Sequence, residues 1–198
     1  MRRSLIAWVL LFIILNVWPV SVFAVPPLET IQTQVNRALE VLRDPALKGE
    51  SAKEIREKKI WTIIDSVFDY TELSKRTLAQ HWKQFAPDQQ EEFTHLFGKL
   101  LGGVYIDRIM AYKDEKVLFG KVINLSDKTA EVQSEVLRSS NSIPIQYRMI
   151  LGNEEWKVYD VVIEGVSLVQ NYRSQFREIL TNKPPEDLLK MLRQKTRK

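Results

Sequence analysis

Ile143-Pro144-Ile145-Gln146-Tyr147-Arg148-Met149-Ile150-Leu151-Gly152-Asn153-Glu154-Glu155-Trp156-Lys157-Val158-Tyr159-Asp160-Val161-Val162-Ile163 is the stretch that decides the fold. Ile143, Ile145, Tyr147, Met149 and Leu151 are apolar at a period of two, and Trp156, Val158 and Val162 resume the alternation after Gly152-Asn153. Such a period marks strands, and a Gly-Asn step between two alternating runs marks a hairpin. A loop of two or of four residues preserves parity, so Leu151 and Met149 share a face with Trp156 and Val158, and that face is the candidate interior. The opposite set, Tyr159, Val161 and Ile163, is apolar too, which predicts a last strand covered on both sides near its end. Asp160 interrupts the inward set and is expected to be a hydrogen-bonded polar group at an edge or bulge.

Working upstream, Ala130, Val132, Ser134 and Val136 alternate with Glu131, Gln133 and Glu135, a further strand with one wet face. The period of two begins near residue 115, and about four antiparallel strands are expected. Downstream, Glu164-Gly165 turns the chain into Ser167-Leu168-Val169-Gln170, a capping box, and into a helix with Leu168, Val169, Tyr172, Phe176, Ile179 and Leu180 on one side. Pro184-Pro185 starts a short final helix.

Residues before about 112 read as four helices. Pro26-Pro27 opens the first and Asp44-Pro45 closes it. Ser51-Ala52-Lys53-Glu54 has the form of a capping box ahead of Ile55, Ile60, Ile63, Ile64 and Val67, and Asp69-Tyr70-Thr71-Glu72 repeats that device. Pro87 starts the fourth helix with Asp88, Glu91 and Glu92 at the positive end of the helix dipole. Phe93, Leu96, Phe97, Leu100, Leu101, Val104 and Tyr105 give it one broad apolar stripe. Gly102-Gly103 inside that pattern predicts a bend or a close backbone approach. The fold class is α+β: N-terminal helices, a twisted antiparallel sheet of about four strands, and C-terminal helices that return to cover it.

The ends set the compartment. Arg2 and Arg3, the apolar run Leu5 to Leu15 and the Val22-Phe23-Ala24 site have the three-part form of a secretory signal cleaved after Ala24, and Asn16, Pro19 and Ser21 break the run short of a membrane span. Residues 25–198, about 174 in number, suffice for one domain with an ordinary core. The chain has no cysteine, which excludes a disulfide framework, a thiolate metal site and lipidation at a Cys. Without Arg2 and Arg3, 27 basic residues face 25 acidic ones, a balance too mild for a nucleic-acid partner. Lys190, Arg193, Lys195, Arg197 and Lys198 are expected to form a solvated helix end.

Catalytic material is scarce. His81 and His95 are the two histidines, and no phosphate loop, G-x-S-x-G or H-E-x-x-H pattern occurs. Asp69, Asp107 and Asp160 are the carboxylates that could pair for acid and base work, though Asp69 already serves as a cap. No catalytic residue, metal ligand or cofactor is assigned.

The run Trp156-Lys157-Val158-Tyr159-Asp160-Val161-Val162-Ile163-Glu164-Gly165-Val166-Ser167-Leu168-Val169-Gln170-Asn171-Tyr172-Arg173-Ser174-Gln175-Phe176 resembles the signature of the MlaC, or toluene-tolerance auxiliary, proteins. Phe68-Asp69-Tyr70, Leu78, Trp82, Pro87-Asp88-Gln89-Gln90, Phe93, Phe97, Leu100-Leu101 and Tyr105 resemble that family's helical half, and Tyr147-Arg148 its third strand. Ala86, where a Ser or Thr cap is usual, and Gly102-Gly103, in place of stronger helix formers, depart from the pattern. The resemblance implies a periplasmic phospholipid shuttle, acting as a monomer between an outer-membrane lipoprotein complex and an inner-membrane ABC transporter bearing MCE domains, and so maintaining outer-membrane lipid asymmetry. Its bound phospholipid is cargo rather than cofactor. Resemblance and periodicity together point to Phe97, Leu101, Tyr105, Tyr147, Met149, Val162, Val166, Leu168, Val169 and Tyr172 as acyl-chain contacts. Arg148 and Arg173 are candidate head-group or partner contacts, with structural ion pairing as the other reading. Three alternatives are a module for another apolar ligand, an adaptor whose core is filled by its own side chains, and an enzyme that depends on paired carboxylates.

Overall fold

Strand pairing follows chain order. In a computed structural model describing residues 24–112, 114–139 and 141–197, β1 (Lys116–Ser126), β2 (Thr129–Leu137), β3 (Ser142–Gly152), β4 (Glu155–Ile163) and β5 (Val166–Ser167) form one antiparallel sheet in the order β1-β2-β3-β4-β5. The secretory signal expected over residues 1–24 lies outside the described residues except for Ala24, and so does Lys198. No helix among the described residues is long and apolar enough to cross a membrane. The fifth strand is an addition to the expected four. Glu164 and Gly165 take positive φ of 50° and 81°, and this two-residue turn folds Val166 back onto Ile163 before the next helix starts. The β3–β4 hairpin closes the same way, with Asn153 and Glu154 at φ 50° and 63° between the paired Gly152 and Glu155. Two positive-φ residues match the twist of the flanking strands.

One residue overturns the face assignment of the last strand. Leu151 pairs with Trp156 and Met149 with Val158, as parity requires, but Arg148 then pairs with Asp160 and leaves Tyr159 as a bulge. An extra residue on one strand reverses which side its successors face. Val161 and Ile163, opposite Tyr147 and Ile145, therefore join the face of Met149, while Asp160 and Val162 turn to the face of Arg148. The bulge sits where a third element meets the strand: Asp69 N donates to Val158 O at 2.9 Å, and Phe68 bridges to Val158. Val158 through Val162 are all buried, so the strand is covered on both sides as expected.

The described residues form six α-helices, α1 (Pro27–Arg43), α2 (Lys53–Val67), α3 (Tyr70–Leu78), α4 (Pro87–Met110), α5 (Leu168–Asn182) and α6 (Pro185–Lys195), of which α1, α2, α3 and α5 lie against the strands. The first helix lies on α2, β1 and β2, α3 on α5 and β4, and α4 on α3 and α6. Their common core includes Phe93, Phe97 and Phe176 from the helices and Val132, Met149 and Val158 from the sheet. Asp69 caps α3 through Glu72 N at 2.8 Å, but Glu72 turns away to Arg76. The box expected at Ser51 does not form: Glu50–Ala52 make a 3-10 turn, and Ala52 stands at the α2 cap without a side-chain bond. Val104 is 42% exposed although it lies in the apolar stripe, and Ile106, at 9%, is buried instead. The last turns of α4 are covered from the α2 side, where Ile106 and Trp61 line one cleft.

Candidate functional site

The fourth helix carries two glycines one turn apart, Gly98 and Gly102, and aromatic rings fill the trough they leave. A Cβ on Gly98 would stand 3.3 Å from the Tyr70 ring, and one on Gly102 would stand 1.8 Å from Trp61 Cη2. Only glycine admits the indole at that distance, so the close approach anticipated at Gly102-Gly103 occurs at Gly102; a Cβ on Gly103 would meet open space. Tyr70 is fixed on its other side by donating to Asp65 Oδ1 at 2.8 Å and by stacking on Phe68 at 5.7 Å between centroids.

Behind these rings lies an apolar cleft of about 140 Å³ between α2, α4, β4 and the start of α5. It is lined by Trp61, Ile64, Phe68, Tyr70, Leu101, Gly102, Tyr105, Ile106, Val161, Ile163 and Leu168. Its only titratable groups are the phenols of Tyr70 and Tyr105, both raised from their ordinary value chiefly by burial. The wall is therefore uncharged near neutral pH and holds no nucleophile or base. On the outer side of the same rings runs an open groove of about 1110 Å³, whose walls mix Trp82, Gln90, His95, Lys75, Lys99, Asp65 and Glu91 with Trp61 and Tyr70. Among the described residues no group of three or more His, Cys, Asp or Glu side chains could hold a metal ion.

Of the ten residues expected to contact acyl chains, Leu101, Tyr105 and Leu168 line the cleft. Phe97, Val169 and Tyr172 stand in the adjoining core, where the Phe97 ring lies 5.2 Å from Tyr172 and 5.4 Å from Phe176. Met149 is fully buried in that core, with Tyr147 packed against it. Burial raises the Tyr147 and Tyr172 phenols as well. Val162 is not brought to the cleft, because the Tyr159 bulge points it to the other face of the sheet. Val166 is 55% exposed on β5, since the Glu164-Gly165 turn carries it outward.

Arg148 spans the outer face of the sheet to Glu131 and Asp160, each at 3.2 Å. Arg173 donates through Nε and Nη2 to the backbone carbonyl of Arg76 at 3.0 and 2.7 Å, which closes the end of α3 rather than forming an ion pair. Asp160 is bound at this sheet junction, where Arg148 also holds the Glu131 carboxylate: it accepts from Ser167 Oγ at 2.6 Å and from Val169 N at 3.0 Å. Trp61, Ile64, Phe68, Tyr70, Ile106, Val161 and Ile163 complete the cleft and were not anticipated. Trp61, Ile64 and Phe68 recur at i, i+3 and i+7, a second apolar stripe beside the Ile60-Ile63-Val67 one, and that spacing was a usable signal.

Comparison with known proteins agrees with this architecture. A phospholipid-binding protein from Ralstonia solanacearum, solved in complex with a phospholipid, superposes with a TM-score of 0.76 at 22% identity, covering 87% of this chain and 97% of that one. The intermembrane phospholipid transport system binding protein MlaC of Haemophilus influenzae is 25% identical over 124 residues, 60% of this chain and 58% of its own length. The toluene tolerance protein ttg2D of Pseudomonas putida is 22% identical over 173 residues, 86% of this chain and 80% of its own length. The profile of the MlaC protein family matches residues 32–194, nearly all of the described structure, and the chain belongs to that family.

Proposed function

We propose that this protein is a periplasmic phospholipid carrier that moves lipid between an outer-membrane lipoprotein complex and an inner-membrane MCE-domain ABC transporter, and so maintains outer-membrane lipid asymmetry. The uncharged cleft between α2, α4 and β4 carries this reading. Acyl chains drawn from a bilayer lose roughly 0.8 kcal/mol per CH₂, some tens of kcal/mol for two long tails, so a carrier must offer an apolar wall in place of the membrane. Leu101, Tyr105, Ile106, Val161, Ile163 and Leu168 supply one without a charge to desolvate. The names of the Haemophilus and Ralstonia proteins point to the same class of ligand. No acid–base pair is needed, and binding is the whole of the chemistry.

At about 140 Å³ the cleft is smaller than the roughly 300–1,000 Å³ of ordinary small-molecule sites, so loading requires the helical wall and the sheet to part. That small volume also favours a second reading, an adaptor whose core is filled by its own side chains. Native mass spectrometry of the protein isolated from the periplasm, followed by solvent extraction, separates the two. Stoichiometric phospholipid is expected. A different apolar ligand would redirect the assignment, and a bare protein that also takes no lipid from vesicles would establish the adaptor.

A further inference from the structure

The inner cleft and the outer groove are divided by a common wall of three residues, Trp61, Tyr70 and Ile106. Two of the three are held in place. Tyr70 is bonded to Asp65 and stacked on Phe68, and Ile106 is buried on α4 itself. Trp61 is half-buried, and among the described residues its indole nitrogen makes no hydrogen bond. Its ring sits in the notch left by the missing side chain of Gly102. A rigid ring with two rotatable bonds, retained by packing alone, can leave such a seat without breaking a polar contact.

We propose that Trp61 is the plug of an acyl-chain port: seated on Gly102 it separates the two cavities, and on leaving that seat it joins them into one channel, with chains in the inner cleft and the polar part of the lipid in the outer groove. The groove suits that part, because it mixes the aromatic faces of Trp61, Tyr70 and Trp82 with polar and charged groups of both signs, Lys75 and Lys99 alongside Asp65, Glu91 and Gln90. Amphipathic aromatic rings beside cations favour the boundary between hydrocarbon and water. This inference rests on the carrier reading and adds the route by which lipid reaches the cleft.

The two adjacent glycines provide the test. Alanine at either position gives the same gain in helix propensity, but at Gly102 it must evict the indole, whereas at Gly103 it meets open space. The full-length protein, processed and purified from the periplasm, would be mixed with vesicles of phosphatidylethanolamine and phosphatidylglycerol carrying a pyrene-labelled phospholipid. Gly102→Ala and Trp61→Ala are expected to exchange lipid about five- to tenfold faster than the unaltered protein, as loss of one aromatic packing contact implies, whereas Gly103→Ala, which adds one methyl to the outer groove without touching the indole, should change the rate by less than about twofold. A Trp82→Phe/Trp156→Phe protein leaves Trp61 as the only tryptophan of residues 25–198, and a brominated-acyl phospholipid should quench it. Thermal melts identify any variant that fails to fold, and Trp61→Phe, which keeps an aromatic ring, then replaces Trp61→Ala in the rate comparison. Rates unchanged by Gly102→Ala and by the folded Trp61 variant, or no quenching on loading, would overturn the port while leaving the carrier intact. An unaltered protein that takes up no lipid would overturn both.

Discussion

Asp160 is 1% exposed, and its carboxylate receives hydrogen bonds from Ser167 Oγ, Val169 N and Arg148. One side chain thus ties β3, β4, β5 and the first turn of α5 together. Asp160→Asn should lose about 2 kcal/mol, because a buried charge-assisted set becomes neutral and partly unpaired. Urea unfolding at constant m-value measures this, and a loss under about 0.5 kcal/mol would show that the network is not holding the junction. The need for a hydrogen-bonded group here was legible in the alternation; its partners, from residues 12 positions before and up to 9 after, were not. Leu168, like Leu101, lies on the cleft wall and is 7% exposed. Leu168→Glu would place a charge on that wall and is expected to abolish lipid retention without changing the exterior. A folded Leu168→Glu protein that carries lipid at normal occupancy would remove Leu168 from the site.

At the scale of elements, the ends of helices were read best where one short-range bond decides them. Asp69 and Ser167 both accept the backbone N–H three residues on, as their motifs require. Ser51 does not, since the chain enters α2 through a 3-10 turn from Gly49, whose φ is 106°. The start of α4 is half-capped: Ala86 N donates to Gln89 Oε1 at 3.2 Å, but Ala86 has no side-chain oxygen to return the bond. Ala86 is exposed, so Ala86→Ser should add about 1 kcal/mol and raise the melting temperature by roughly 2–4 °C. Differential scanning calorimetry decides it, and an unchanged melting temperature would mean that the first turn of α4 is already satisfied without a side-chain cap.

The whole molecule is closed by its last helix. Arg193 of α6 reaches back 101 residues to both carboxylate oxygens of Glu92, and Glu186 receives its third bond. The Arg193 hydrogen bond holds the Glu92 carboxyl below its ordinary value of 4.5, so between that value and the folded one the unfolded chain binds more protons. The clamp therefore stabilises the fold fully above about pH 4.5, and its contribution fades as pH falls through the folded value. Glu92→Gln should melt lower than the unaltered protein at neutral pH, with the gap closing as pH falls below the carboxyl's ordinary 4.5 and through its lowered folded value. A gap of constant size across that range would show that the clamp does not act through this charge. The sequence by itself determined the helices, the alternating strands, the hairpin and the family, because periodicity, turn chemistry and motif are properties of neighbours in the chain. Only the tertiary structure decided that Tyr159 is a bulge, that Val161 and Ile163 rather than Val162 face the cleft, and that Trp61 fills the notch at Gly102. Each of those outcomes depends on atoms that packing brings together from distant segments, and no local pattern encodes which ring will occupy the space a glycine leaves.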